Sequence, residues 1–265
     1  MLIRKKMPYF TADDGERIYY SEVGSDQPLL FIHGWMSDSF DFKNNITYFS
    51  KNYHCITLDI RGHGRSRRID KNLNLNQVAR DVQALMYRLN LDSTIMIGHS
   101  MGAVVIFSYI SQFKTNLLEG ICIIDQLPKL LNDEAWNFGV EGGIAIIQKL
   151  EQSLNNDFST FVENVAKQNS SMDRTIRRMD RKTILTFFKE LCAYDYRALT
   201  SEIDIPVLCM LKSEGNLPLN PLGKWYQNNL PNCTYVEFPE SGHWIFKDKE
   251  EKFNLSLETF IKQII

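Results

Sequence analysis

The sequence predicts an α/β fold built on a mostly parallel β-sheet. Short, almost uniformly apolar runs, typical of strands buried on both faces, alternate along the chain with segments of helical periodicity. A strand, a crossover helix and a second strand in succession require parallel neighbours in one sheet. The 265 residues, of which 44% are hydrophobic and 23% charged, are enough for one large domain carrying an insertion.

The first half of the chain contains most of the predicted sheet. In the segment 76–90 the apolar residues recur at steps of three and four, which indicates an amphipathic helix. A second, largely apolar helix is predicted over 102–110. The strands predicted around these helices are Gly15–Val23, Pro28–His33, Tyr53–Leu58, Thr94–Ile97 and Leu118–Ile124.

The strand–helix alternation stops in the middle of the chain and then resumes. Residues 127–196 contain no strand-like run and carry helical patches at 143–154, 158–165 and 183–191. Strands are predicted again at 205–211 and 234–238, followed by a final amphipathic helix near 250–264. We therefore expect residues 1–126 and 197–265 to form an α/β core, and residues 127–196 to form a helical cap over the carboxyl edge of the sheet, where such folds bind ligands.

Charge and composition exclude several classes of function. The formal net charge is −2, and the short basic cluster at 65–68 is offset by neighbouring acids, so we expect neither nucleic acid nor a membrane as partner. No apolar run reaches the ~20 residues of a transmembrane helix, and Met1–Lys6 is not followed by the apolar region of a signal peptide. The five scattered cysteines predict reduced thiols in a cytoplasmic protein. The histidine spacings predict no metal site, and no cofactor is expected beside a small-molecule substrate.

The pentapeptide Gly98-His99-Ser100-Met101-Gly102 is the first candidate for chemistry. A serine hydroxyl needs a favourable geometry and a neighbouring base to act as a nucleophile. In a Gly-x-Ser-x-Gly turn between strand and helix, the glycines permit close approach of the two elements and the helix N-terminus favours developing negative charge. This motif lies between the predicted strand 94–97 and the predicted helix 102–110, which is the context it requires. Ser100 is therefore the predicted nucleophile.

Two further segments follow predicted strands and complete this interpretation. His33-Gly34-Trp35 comes after the apolar strand 28–33, so the backbone amides of Trp35 and Met101 are predicted to form an oxyanion hole. Ser241-Gly242-His243 follows the last strand and makes His243 the predicted general base. His33, His63 and His99 are interpreted as structural.

These segments, together with Asp59 through Ser66, resemble the successive signatures of the α/β-hydrolase superfamily, in particular its serine esterase and haloperoxidase-like branch. The resemblance spans the chain apart from 127–196, which resembles the variable cap of that family. It implies an α/β-hydrolase fold with an eight-stranded, mostly parallel sheet flanked by helices. It also implies a triad in the chain order Ser…Asp…His.

The acid of this triad has two candidates. In most of the family it follows the strand that corresponds here to Val207–Leu211, but this loop contains no aspartate and offers only Glu214. Asp125 ends the preceding predicted strand, as in subfamilies whose acid lies one strand earlier. Asp125 is the preferred acid and Glu214 the alternative. Either would accept the Nδ1 proton of His243 and stabilise the imidazolium.

The sequence thus predicts a serine hydrolase that forms an acyl-enzyme on Ser100 and acts on a small carboxylic ester. Trp35, Trp136 and Trp244 are candidate walls of an apolar substrate pocket. One alternative within the same fold is a cofactor-free dioxygenase or haloperoxidase-like enzyme, because the early acid also resembles those branches. Another is a non-catalytic ligand receptor on the same scaffold.

Overall fold

The fold is described from a computed structural model, whose described residues are 8–168, 172, 175–213 and 221–265. Its centre is an eight-stranded sheet with the strand order β1-β2-β4-β3-β5-β6-β7-β8. The prediction of eight strands is thereby confirmed. The strands are β1 (Tyr9–Thr11), β2 (Arg17–Val23), β3 (Pro28–Ile32), β4 (His54–Leu58), β5 (Thr94–His99), β6 (Leu118–Ile124), β7 (Val207–Ser213) and β8 (Cys233–Pro239).

The direction of the strands brings the loops of interest to one edge of the sheet. β1 pairs antiparallel with β2, and β2 pairs antiparallel with β4. All remaining pairs, from β4 through β3, β5, β6 and β7 to β8, are parallel. The segments that follow β3, β5, β6 and β8 therefore leave the sheet at the same edge, which is where parallel α/β folds bind their ligands.

Helices cover both faces of the sheet because successive strand residues point to opposite sides. In β3, Leu30 and Ile32 join the apolar cluster under the second and third helices, whereas Leu29 and Phe31 join the cluster under the first and last. The helices are α1 (Lys43–Phe49), α2 (Leu75–Leu89), α3 (Met101–Phe113), α4 (Gly143–Asn156), α5 (Phe158–Gln168), α6 (Arg181–Ala193), α7 (Arg197–Thr200), α8 (Pro221–Asn229), α9 (Ile245–Asp248) and α10 (Glu250–Ile264).

The segment 127–196 differs from the rest of the chain in its packing. Its described residues form the helices α4, α5 and α6 and a few isolated β-bridges, but no β-strand. They build a separate apolar cluster in which Leu154, Val162, Ile176 and Ile184 pack with Met36 of the loop after β3. The helical segment therefore rests on the loop at the carboxyl edge of the sheet.

A buried ion-pair network holds the loop after β4 against α2. The guanidinium of Arg61 has no exposed side-chain surface and contacts Asp81 Oδ1 at 2.6 Å and Asp14 Oδ2 at 2.9 Å. Burial disfavours the Arg61 cation, but the hydrogen bonds that Arg61 donates to Asp81 and Asp14 outweigh this effect and raise the pKa of Arg61. Removing one partner of such a pair leaves an uncompensated buried charge, which typically costs about 3–5 kcal/mol.

Two further sequence expectations concern the cysteines and the membrane. All five cysteines are free thiols, and Cys209 Sγ lies 3.7 Å from Cys233 Sγ on the neighbouring strand. Across the part of the chain that is described, no helix combines the length and apolarity that crossing a bilayer requires.

Candidate active site

Ser100 occupies a strained turn between β5 and α3. Its φ of 52° and ψ of −120° lie outside the regions that non-glycine residues ordinarily adopt. The turn is held in place because the Ser100 amide donates to the carbonyl oxygen of Ile124 at 3.0 Å. A strained backbone maintained by its surroundings is characteristic of functional sites, and here it lifts the serine to the N-terminus of α3.

The two motif glycines of this turn are required by close backbone contacts. A Cβ at Gly102 would lie 2.1 Å from the carbonyl oxygen of Ile32, and a Cβ at Gly98 would lie 2.6 Å from the amide nitrogen of Ala103. Neither contact can be relieved by rotating a side chain. The glycines therefore allow α3 to begin directly against the ends of β3 and β5, as the sequence motif predicts.

His243 and Asp125 form the polar pair of the site. His243 Nδ1 lies 2.6 Å from Asp125 Oδ2, joining the loop after β8 to the end of β6. Asp125 is held from a third strand, because its Oδ1 accepts from the Lys212 amide at 3.2 Å and its own amide donates to Met210 O at 2.8 Å. The structure thus brings the preferred acid to the predicted base. Glu214, the alternative acid, lies outside the described residues.

The Asp125 contact determines what the imidazole of His243 can do. With Nδ1 donating its proton to the carboxylate, the lone pair of the neutral ring stays on Nε2, as a general base requires. The side chain of Asp125 is 10% exposed and that of His243 is 36% exposed. The acid is therefore shielded from water, while the histidine remains accessible from the cavity.

His99, between Gly98 and Ser100, supports the His243 loop from below. Its Nε2 lies 2.9 Å from the backbone carbonyl oxygen of His243, and the two imidazole centroids are 4.6 Å apart. Burial, reinforced by the neighbouring imidazole of His243, holds the pKa of His99 well below its usual range, so its ring is neutral and its Nε2–H donates. This contact between His99 and the His243 carbonyl was not predictable from sequence spacing.

The remaining histidines have local partners. His33 Nε2 accepts from the Ile60 amide at 2.9 Å, and His33 Nδ1 lies 2.8 Å from Gly34 O. His63 Nδ1 lies 3.1 Å from Arg61 O, and burial lowers the pKa of His63 to about 3. His33 therefore ties the loop after β3 to the loop after β4, whereas His63 bonds within its own loop. His54, on β4, lies 3.1 Å from Glu22 Oε2.

Two backbone amides near Ser100 are available for an oxyanion. Met101 is the first residue of α3, and Trp35 follows Gly34, whose ideal Cβ position is 3.2 Å from Ser100 Cβ. Within the described ranges, the Trp35 and Met101 amides donate to no backbone carbonyl. Because the positive end of the α3 dipole adds to these free N–H groups, the corner between Trp35 and Met101 favours negative charge.

A cavity of about 500 Å³ opens above these groups. Ser100, Asp125 and His243 form its polar floor. Its walls are mainly apolar and come from the loop after β3, the segment after β6, α6 and the start of α8: Trp35, Leu127, Leu130, Phe138, Val140, Phe188, Leu191, Pro221 and Leu222. The Trp35 ring stacks on Phe188 with centroids 5.1 Å apart. The volume and lining are those of a small-molecule site.

The structure corrects two of the three predicted pocket tryptophans. Trp136 is only 2% exposed, donates from Nε1 to Lys129 O at 3.0 Å, and packs against Phe138 without lining the cavity. Trp244 is not among the lining residues of the cavity and packs against two apolar clusters, one of which contains Met36. Proximity in sequence to a site does not determine where an indole packs.

The sequence interpretation missed several wall residues. Phe188 belongs to the apolar stripe of α6 that also contains Ile184, Phe187 and Leu191. Only the tertiary packing shows that Phe188 and Leu191 are the members of this stripe that line the cavity. Leu127 was detectable in principle, because it closely follows Asp125 at the carboxyl end of a strand. Within the described ranges no group of three or more histidine, cysteine, aspartate or glutamate side chains is arranged to hold a metal ion.

The chain is similar in sequence to enzymes with more than one activity. A non-heme haloperoxidase from Rhodococcus erythropolis is 31% identical over 126 residues, which cover 47% of this chain and 46% of that protein. A bifunctional esterase/perhydrolase, DCH, from Acinetobacter calcoaceticus is 23% identical over 97% of this chain and all of that protein.

Comparison with solved structures shows the same fold. The esterase EaEST from Exiguobacterium antarcticum superposes with a TM-score of 0.86 at 19% identity, over 96% of this chain and 98% of that one. The sequence model of the alpha/beta hydrolase fold matches residues 27–250. The chain is therefore a member of the alpha/beta hydrolase fold family.

Proposed function

We propose that this protein is a serine hydrolase that cleaves small carboxylic esters through an acyl-enzyme on Ser100. The observation that carries the proposal is that Ser100, on its strained turn, and the His243–Asp125 pair line one apolar cavity. Nucleophile, base and orienting acid are the groups that acyl transfer requires. The esterase names among the similar proteins agree with this assignment.

In the first half of the proposed reaction, Ser100 Oγ attacks the ester carbonyl while His243 Nε2 removes its proton. The carbonyl oxygen becomes an oxyanion, which the amides of Trp35 and Met101 stabilise. Asp125 holds the imidazolium by its Nδ1–H. His243 then returns the proton to the alkoxide leaving group, which departs as the alcohol and leaves the acyl group on Ser100.

The second half repeats these steps with water. His243 Nε2 takes a proton from a water molecule, the resulting hydroxide attacks the acyl carbonyl, and the proton returns to Ser100 Oγ as the carboxylic acid leaves. Access for this water is consistent with the partial exposure of the His243 side chain, which is 36%.

The cavity favours an uncharged acyl group of modest size. Its walls are mostly aliphatic and aromatic, so burial of apolar substrate surface supplies binding energy at ~25 cal/mol per Å². Gln126 and Lys212 are the polar side chains at the rim beside Asp125. We therefore propose short and medium-chain or aryl esters as substrates.

The test is a single substitution at the nucleophile. Ser100→Ala is expected to abolish hydrolysis of p-nitrophenyl acetate and butyrate and labelling by a fluorophosphonate. Ser111→Ala, on the exposed end of the same helix, is the control and should retain both. Absence of labelling and of ester hydrolysis in the wild-type protein would refute the proposal.

A second candidate is peroxide-dependent chemistry in the same site. The similarity to a haloperoxidase and to an esterase/perhydrolase favours it. Hydrogen peroxide would replace water in the second half of the reaction, attack the acyl carbonyl and leave as the peracid, with Ser100 regenerated. Peracid formation from acetate and hydrogen peroxide, lost in Ser100→Ala, would support it. Hydrolysis of p-nitrophenyl acetate without peracid would restrict the protein to ester hydrolysis.

Two other outcomes correspond to the remaining alternatives. Oxygen uptake with a ring-bearing substrate that survives Ser100→Ala would indicate a cofactor-free dioxygenase in which His243 and Asp125 abstract a substrate proton. Tight binding of a small molecule with no turnover would indicate a receptor. The strained turn that presents Ser100 favours acyl transfer over both, because neither of those functions requires a serine nucleophile.

A further inference from the structure

A second, open cavity of about 630 Å³ lies at the β1–β2 side of the sheet and is lined by arginines. Arg17, at the start of β2, meets Arg65, Arg67 and Arg68 of the loop after β4, because β2 runs antiparallel to β4. We call this cavity the arginine groove. Within the described part of the chain it shares no lining residue with the cavity over Ser100.

Three acids near this groove in sequence form ion pairs with other cations. Asp14 binds Arg61 at 2.9 Å, Glu16 binds Lys71 at 2.8 Å, and Asp13 lies 3.5 Å from Arg80. Within the described ranges, none of the four groove arginines forms an ion pair with a carboxylate. Tertiary contacts therefore direct Asp13, Asp14 and Glu16 to cations other than the four groove arginines.

The buried acids below the groove also have other partners. Asp59 Oδ1 accepts from the Ser39 amide at 2.9 Å, and Asp59 Oδ2 accepts from the Arg65 amide at 2.8 Å. Asp38 Oδ2 accepts from the Thr175 hydroxyl at 2.9 Å. Glu16 is the only acidic residue among the described lining residues of the groove, and it is paired with Lys71. Arg65 and Arg67 also line a smaller neighbouring cavity that contains Asp38 and Asp59.

Several of the arginines are positioned by the fold itself. The Arg17 guanidinium lies 4.9 Å from the Tyr9 ring centroid, and that of Arg65 lies 4.4 Å from the Tyr19 ring centroid. Arg67 donates from its Nη1 to Gly64 O at 3.3 Å. Stacking on an aromatic ring restricts the motion of a guanidinium group but uses none of its N–H donors. These donors therefore remain available to bind an anion.

We propose that the arginine groove binds a ligand carrying phosphoryl groups, which is a function beyond the hydrolysis proposed for Ser100. Guanidinium groups bind phosphate oxygens through paired, charge-assisted hydrogen bonds. A groove of this volume has room for more than a single phosphate. The overall charge of −2 makes a general attraction of anions unfavourable, so binding depends on this local cluster. A soluble polyphosphate and a phospholipid headgroup share the required chemistry.

The experiment uses the full chain and two probes. Tripolyphosphate is titrated at low ionic strength by calorimetry, and sedimentation is measured with vesicles of phosphatidylcholine containing phosphatidic acid. The variant Arg17→Gln with Arg68→Gln is expected to weaken binding by about tenfold or more, since each substitution removes hydrogen bonds to a charged group. The control Arg88→Gln with Lys149→Gln removes the same charge from exposed sites outside the groove and should bind as the wild type does.

Binding to tripolyphosphate that the groove variant loses supports a soluble ligand, and binding to the acidic vesicles alone, lost in the same variant, supports a lipid headgroup. Either result supports the proposal. It is overturned if the wild type binds neither probe, or if both charge-removing variants weaken binding equally. Thermal melts of both variants check that they are folded. Because the experiment measures binding and not turnover, its result does not depend on the activity of Ser100.

Discussion

His243 Nδ1 lies 2.6 Å from Oδ2 of Asp125, a residue 118 positions earlier in the chain. The pairing places the proposed acid at the end of β6, and the Lys212 amide holds the carboxylate from β7. The orienting function of the acid depends on the direction in which it approaches the imidazole and not on which strand supplies it.

Replacing this acid tests its function directly. Asp125→Asn is expected to lower kcat for p-nitrophenyl esters by on the order of 10⁴ with little change in KM, because the amide favours the wrong imidazole tautomer. Glu214→Gln is the matched control and should keep nearly full activity. If Glu214→Gln is the variant that loses activity, the acid has been assigned to the wrong strand.

The turn around Ser100 should tolerate no side chain at Gly102. Gly102→Ala forces a Cβ to within 2.1 Å of the Ile32 carbonyl oxygen, so we expect destabilisation of about 3 kcal/mol or more. Gly120→Ala is the comparison, because its new Cβ meets the flexible end of Ile264 at 2.7 Å. Urea denaturation measures both. An equal, small loss in the two variants would show that the turn yields more easily than its contacts indicate.

Acid should unfold this protein partly through its buried histidines. The pKa of His63 is about 3 in the folded protein, compared with 6.5 for an unperturbed side chain. Between these values the unfolded chain binds a proton that the folded chain does not, so stability falls as the pH drops from about 6.5 toward about 3. His63 contributes ~1.4 kcal/mol per pH unit to this slope.

His63→Gln is expected to flatten the dependence of the unfolding free energy on pH by that amount between about pH 4 and 6. Phe187→Leu is the control, since Phe187 packs against the His63 ring at a centroid distance of 5.2 Å but does not titrate. It should lower stability by a similar amount at every pH. Parallel curves for wild type and His63→Gln would mean that His63 is not kept neutral by burial.

The cavity walls should control acyl-chain length. The substitution Leu127→Trp fills the cavity beside Asp125. It is expected to reduce kcat/KM for p-nitrophenyl octanoate by about tenfold or more relative to the acetate. The reason is that each methylene excluded from the pocket loses about 1–3 kcal/mol of binding free energy. Leu255→Trp, at a position that is 62% exposed on α10, serves as the control. Equal effects on both esters would place the acyl group outside this cavity.

Much of the fold and of the candidate site followed from local sequence patterns. Runs of apolar residues and helical periods predicted the sheet, because burial on both faces leaves a near-continuous apolar signature in each strand. Ser100 and His243 were predictable since their motifs follow strands whose carboxyl ends share an edge in a parallel sheet. The close backbone contacts of the Ser100 turn were also predictable, because the Gly-x-Ser-x-Gly motif itself indicates them.

Other features depended on contacts between distant segments, which no local pattern records. The proximity of Asp125 to His243 required the register of β6, β7 and β8. Only the packing of the segment 127–196 and of the His243 loop shows that Phe188 lines the cavity and that Trp136 and Trp244 do not. The arginine groove arose because folding paired Asp14 and Glu16 with Arg61 and Lys71. Periodicity determines which face of an element is buried, whereas side-chain partners are selected by packing in three dimensions.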